Sequence, residues 1–318
     1  MILRGLVPIL CILTAPLVGD GHNSFARRKG VRTPHVSVLH DYPPDISPPR
    51  DLPFFYDLYT FRTDGGGTTV VAAVAVPVRR LHAERMDHRV RYRFDLRFVV
   101  ADTARLSVSS TIDSVFVSVP RALSGQHLLH TYVEVEAAPS VTTVQRVIVT
   151  DAARPGRGQL YTTPFAIPDY SGTDLMLSDI ALGLPDPKGG WTRRGATLAL
   201  LPTSEFPESY FDLYYEIYNL PLGTPYETTI SIKPLNDSDS NDQTVRTLFS
   251  GESAARADGS VAELRQVQSA LPKGRYRLTV SVRDMVSGQT AECARLIQVR
   301  GWRSGTTLVP AMPRGVGR

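Results

Sequence analysis

Residues 90–100 read VRYRFDLRFVV, and their alternation decides the fold class. Val90, Tyr92, Phe94, Leu96 and Phe98 fall on one side, Arg91, Arg93, Asp95 and Arg97 on the other, the period of a strand with one wet face. RYRLTVSVRD at 275–284 repeats the pattern, with Tyr276, Leu278, Val280 and Val282 set against Arg275, Arg277, Thr279, Ser281 and Arg283. PYETTISIKP at 225–234 does so again through Tyr226, Thr228, Ile230 and Ile232. Similar short runs occur in GTTVVAAVAVP, DSVFVSVP, HTYVEVEA, VQRVIVTD and GATLALLP, separated by glycine, proline and polar turns. Half-buried strands at such spacing predict an all-β, antiparallel sandwich rather than alternating βα units. RRLHAERMDHR (79–89) lacks a firm apolar stripe and reads as a hairpin insertion.

The chain also repeats itself. FYDLYTFRTDGGGTTVVAAVAVP (55–77) matches YFDLYYEIYNLPLGTPYETTISIKP (210–234), and VQRVIVTDAARPGRGQLYTTPFAI (144–167) matches RLTVSVRDMVSGQTAECARLIQV (277–299). In the second pair Asp151 aligns with Asp284, so each copy ends in a hairpin whose first strand runs into an aspartate. Repetition of a supersecondary unit predicts one design used twice. The expected layout is two tandem antiparallel β-sandwich domains of immunoglobulin or fibronectin type, 53–168 and 172–302, with the boundary in IPDYSGTD (167–174). A proline-rich arm, 21–52, precedes them, and a flexible tail, 303–318, follows.

The N-terminus, MILRGLVPILCILTAPLV, places Arg4 ahead of an apolar run from Leu6 to Val18 that ends in small residues. This is a secretory signal layout, with residues 1–20 removed on export; the run is shorter than the roughly 20 residues that span a bilayer, so no transmembrane segment is expected afterwards. Loss of Cys11 with the signal leaves Cys293 alone, so no internal disulfide is available and the sandwiches must hold by packing. A net charge of +4 and a pI near 9.1 come with lysine only at Lys29, Lys188, Lys233 and Lys273. The arginines are dispersed among acids, which argues against nucleic acid as a partner. If the two strands are neighbours, Arg91, Arg93 and Arg97 are expected to pair across strands with Glu134 and Glu136 of HTYVEVEA.

SYFDLYYEIYNLPLGTPYETTISI (209–232), LPKGRYRLTVSVRDMVSGQTAECARL (271–296) and DLMLSDIALG (174–183) resemble the β-sandwich region of secreted bacterial GWxTD-domain-containing proteins. The likeness runs over about Asp174 to Arg300. The motif that names the family is absent: GGWTRRG around Trp191 and GWRSG around Trp302 keep the Gly-Trp pair without the following Thr-Asp. The resemblance implies export and sandwich architecture, in the periplasm or outside the cell, and carries over no catalytic residue.

Local chemistry is sparse. No GxSxG element is present, so no serine nucleophile is marked. The histidines at His22, His35, His40, His82, His88, His127 and His130 do not show zinc-ligand spacing. NDSDSNDQ (236–243) begins like a calcium loop, but Asp242 stands where glycine is needed and Leu248 where a bidentate glutamate belongs. The glycines at 65–67 and 189–190 lack a following helix and make turns rather than phosphate cradles. No catalytic residue, metal site or cofactor is assigned. The candidate binding residues are Tyr210, Asp212 and Tyr214, which alternation puts on the outward face with Phe211, Leu213 and Tyr215 inward, burial of that patch between the two domains being the competing reading. The leading functional expectation is a non-catalytic exported protein that binds an envelope or extracellular protein. A carbohydrate-binding module, which needs exposed aromatics in a row, and an enzyme with a dispersed site are the alternatives.

Overall fold

The computed structural model describes residues 52–313, apart from 105–106, 124–126, 155, 186–189, 204, 207–209, 236–243, 255, 257–258, 269–270, 300–306 and 311. The signal, most of the arm, the calcium-like loop and Trp302 therefore lie outside the described residues. Nearly every element is a strand, and among the described residues no helix is long and apolar enough to cross a membrane. The chain divides into two compact units, at Gly172/Thr173, with Ser304–Arg318 grouped with the first.

The first unit contains β1 (Phe55–Arg62), β2 (Thr68–Pro77), β3 (Glu84–Met86), β4 (Arg89–Asp102), β5 (Ser107–Val119), β6 (His127–Ala137), β7 (Thr143–Asp151) and β8 (Gly158–Pro164). One sheet has the order β1-β2-β6 and the other β5-β4-β7-β8, with β3 paired to β4. The predicted alternation of 90–100 holds: Tyr92, Phe94, Leu96 and Phe98 enter a core shared with Val70, Val74 and Leu129 of the opposite sheet, which makes the unit a sandwich. The expected hairpin insertion is β3–β4, closed between Met86 and Arg89.

Arg91 and Arg93 find a partner that the sequence reading did not choose. Glu84 on β3 accepts from Arg91 Nε at 2.8 Å and Arg93 Nη2 at 2.9 Å, whereas Glu134 and Glu136 lie on β6, which pairs with β2 in the other sheet. Burial alone raises the Glu84 carboxyl, but hydrogen bonds from Arg91 and Arg93 hold it below its ordinary value.

The second unit contains β9 (Met176–Leu177), β10 (Ala181–Pro185), β11 (Trp191–Arg193), β12 (Ala196–Leu200), β13 (Glu205–Phe206), β14 (Tyr210–Tyr218), β15 (Pro225–Pro234), β16 (Val245–Glu252), β17 (Ser260–Gln268), β18 (Gly274–Asp284) and β19 (Thr290–Val299). Its sheets run β11-β12-β10-β14-β17 and β13-β19-β18-β15-β16. Strip off the extra strands, and β10-β14-β17 with β16-β15-β18-β19 reproduces the order β1-β2-β6 with β5-β4-β7-β8.

This shared order corrects the first half of the repeat. FYDLY lies on β1, an edge strand, while YFDLY lies on β14, a central strand whose topological counterpart is β2. The turn after β1 makes a hairpin within one sheet; the turn after β14 carries the chain into the other sheet. Turn-forming residues promote reversal without specifying which sheet receives the next strand. The second half of the repeat is correctly matched. Asp151 N–H donates to the Arg157 carbonyl and Asp284 N–H to that of Gln289. Each aspartate also uses its side chain to cap the turn: Asp151 Oδ1 accepts from Ala153 N at 3.0 Å, and Asp284 Oδ1 from Val286 N at 2.7 Å.

The C-terminal segment, expected to be flexible from residue 303, contains two more strands. Thr307–Pro310 (β20) pairs with β6, and Met312–Pro313 (β21) with β5. Both are short and end in proline, so neither shows the long alternation by which a strand is recognised.

Candidate functional site

Two of the three predicted binding residues, Asp212 and Tyr214, are buried rather than on a surface. β14 is covered on both faces: Phe211, Leu213, Tyr215 and Ile217 are buried on one, Asp212, Tyr214, Glu216 and Tyr218 on the other. Only the backbone of Tyr210 is described, opposite Gln268. The cover on the second face comes from GGWTRRG. Trp191–Arg193 and Ala196–Leu200 form a hairpin whose ends, Arg193 and Ala196, are paired, and Arg194 and Gly195 take φ of 46° and 88°, as a two-residue primed turn requires. Gly190 lies so close to β12 that a Cβ there would sit 2.4 Å from the Leu198 carbonyl oxygen. The glycine allows Trp191 to reach inward, where it meets Tyr214 edge-on at 5.2 Å between ring centroids.

Beneath this hairpin Glu216 is 0% exposed and fully engaged. Its Oε1 accepts from Arg193 Nε at 2.6 Å, Arg194 Nε at 3.0 Å and Tyr214 Oη at 2.6 Å; its Oε2 accepts from Tyr218 Oη at 2.8 Å. Burial first, and then the Glu216 charge, push the Tyr214 phenol far above its ordinary range. Arg193 is held charged: burial pulls its pKa down, but the hydrogen bond and charge of Glu216 leave it raised. This constellation joins the hairpin to β14.

A second polar group lies between the two sheets. Tyr226 of β15 donates to Glu263 of β17, and Arg265 pairs with Glu263 at 2.6 Å while its guanidinium lies 4.9 Å above the Phe249 ring.

Asp212 is the member of the predicted trio with titration in the accessible range. Burial, only partly countered by a hydrogen bond from Gln266, pushes its carboxyl up to about 6. The unfolded value is about 3.9, so between about pH 4 and 6 the folded state holds a proton that the unfolded state has lost. The stability this proton contributes is complete below pH 4 and is lost as pH rises through 6. Asp212→Asn should therefore match the native chain below about pH 4 and exceed its stability at pH 7 by about 2–3 kcal/mol in urea titrations. A gain independent of pH would refute that account.

Other candidate chemistry does not converge. Among the described residues no group of three or more His, Cys, Asp or Glu side chains is placed to hold a metal ion. Burial, assisted by Asp179, pushes the Cys293 thiol up to about 11, which disfavours the reactive thiolate.

The outer face of β5-β4-β7-β8 carries a row of partly exposed apolar side chains. Register places Ile112 opposite Arg97, Arg97 opposite Ile148, and Ile148 opposite Leu160, giving one row across four strands. Ile112 is 67% exposed and Leu160 44%. The signal for this row was present in RVIVTD, where Ile148 occupies an outward position that strict alternation would have made polar. Among the described residues Phe55, at 44%, is the single aromatic side chain with large exposure, so no aromatic row accompanies it.

No protein-family model matches the chain, and no curated protein does. Among solved structures it is similar to red sea bream transglutaminase, at 12% identity and a TM-score of 0.22, over 78% of this chain and 31% of that one. It is also similar to Bacteroides uniformis β-glucuronidase, at 12% identity and a TM-score of 0.25, over 76% of this chain and 28% of that one. The chain thus spans less than a third of the length of either protein.

Proposed function

We propose that this is a non-catalytic exported bacterial protein that binds another protein in the periplasm or at the cell surface. Export rests on the signal layout of residues 1–20 and on the resemblance to secreted GWxTD-domain-containing proteins. The observation that carries the binding role is the Ile112–Arg97–Ile148–Leu160 row, exposed at Ile112 and Leu160 and half-buried at Arg97 and Ile148. Apolar side chains aligned on a rigid sheet around one guanidinium supply the anchors that protein interfaces favour. A carbohydrate platform would require exposed aromatics stacked in line, and the described surface offers Phe55 alone.

The test is affinity capture with the tagged native chain, followed by identification of the retained proteins. Placing aspartate at both Ile112 and Leu160 should lower capture at least about tenfold, since each buried apolar side chain is worth about 1.5–3 kcal/mol. Stability should stay within about 0.5 kcal/mol, as for other surface changes. Undiminished capture would move the interface elsewhere. Retention of the chain by polysaccharide, unaffected by the substitutions, would favour the carbohydrate reading.

A further inference from the structure

We propose that the β5–β6 edge of the first unit is a strand-exchange site, filled by the C-terminal segment of a second copy of this chain as well as by the chain's own. In the structure β20 lies parallel to β6, with Thr307 opposite His127 and Pro310 opposite His130. After one further residue β21 lies antiparallel to β5, with Met312 opposite Phe116 and Pro313 opposite Val115. One short stretch thus passes from one sheet of the sandwich to the other and covers an edge of each. Uncovered, these edges would present unpaired N–H and C=O groups that recruit strands.

The cover is thin. Pro310 and Pro313 have no backbone N–H, which leaves Thr307, Leu308, Val309 and Met312 as the only donors in the two strands. β6 runs from His127 to Ala137, but β20 covers only its first four residues. A strand held by so few ladder bonds belongs to the part of a fold that opens most readily.

The cover also arrives late. The chain builds the first unit through Gly172, then the unit Thr173–Arg303, and only with Ser304–Arg318 returns to the first. Until the chain is complete, the β5–β6 edge has no strand of its own to accept. A tail from another copy makes the same backbone pairings, so the balance between the two arrangements is set by the local concentration of the chain's own tail against that of its neighbours. The prolines make the docked segment a poor template for a further strand, so accretion stops at the tail. None of this depends on the outer face of β5-β4-β7-β8 or on what binds there.

A split-cysteine experiment on the full chain tests it, in a background with Cys11 and Cys293 replaced by serine. His127→Cys and Thr307→Cys sit at paired Cα positions, within reach of a disulfide. At low protein concentration a chain carrying both should close an internal disulfide and run mainly as monomer on a non-reducing gel, with covalent dimer appearing as concentration rises. An equimolar mixture of the two single variants, refolded together, should give a covalent dimer several-fold above that from either variant alone, increasing with protein concentration. Internal closure of the double variant without excess dimer in the mixture would show that the tail stays with its own chain, and would overturn the proposal. Failure of the double variant to close, with native strand content retained, would overturn it too, because the tail would then not occupy this edge.

Discussion

Replacing Glu216 with alanine is expected to destabilise the second unit by about 3–5 kcal/mol, the cost of leaving buried charges without their counter-ion. Arg193 and Arg194 both donate to this carboxylate, and their side chains retain only 16% and 9% of their exposure. Without Glu216, two guanidiniums and two tyrosine hydroxyls lose their acceptor together. Glu216→Gln should be less harmful, because its amide oxygen still accepts. Urea denaturation followed by circular dichroism measures both; a loss below about 1 kcal/mol for alanine would place the cluster with exposed ion pairs.

Tyr214→Ala should cost a comparable amount, about 3–5 kcal/mol, because it empties a large fully buried volume. The ring packs edge-on against Trp191 and its hydroxyl donates to Glu216, so alanine loses packing and a hydrogen bond at once. Tyr214→Phe separates the two contributions: it keeps the ring and should cost about 1–3 kcal/mol for the buried acceptor site left unfilled. The outward placement expected from alternation makes the opposite forecast. On that basis alanine would leave stability within about 0.5 kcal/mol and lower partner capture. Thermal melting of this one variant decides between them.

That reversal shows where a sequence stops being informative. Alternation states which residues share a face of a strand; it does not state how many faces are covered. On β2 the two coincide, because every residue from Val70 to Val76 is apolar and a continuous apolar strand is one buried on both sides. On β14, the counterpart of β2, the second face is Asp212, Tyr214, Glu216 and Tyr218, which reads as wet. It is dry because Arg193, Arg194 and Trp191 are laid over it by the 191–200 hairpin; GATLALLP shows the second strand of that hairpin, but nothing in it states which face the hairpin covers.

The sequence by itself determined the all-β class, the wet and dry faces of β4, β15 and β18, and the aspartate-capped hairpins after β7 and β18. All of these follow from side-chain period and turn chemistry, which act over a few residues. Tertiary structure alone decided that FYDLY and YFDLY occupy non-equivalent strands, that Glu84 rather than Glu134 neutralises Arg91 and Arg93, that Asp212 and Tyr214 are interior, and that Thr307–Pro310 returns to β6. Each of these depends on which strand lies beside or above another. A strand offers the same backbone donors and acceptors to any neighbour, so pairing is selected by burial and packing summed over the whole unit, a sum that no local stretch contains.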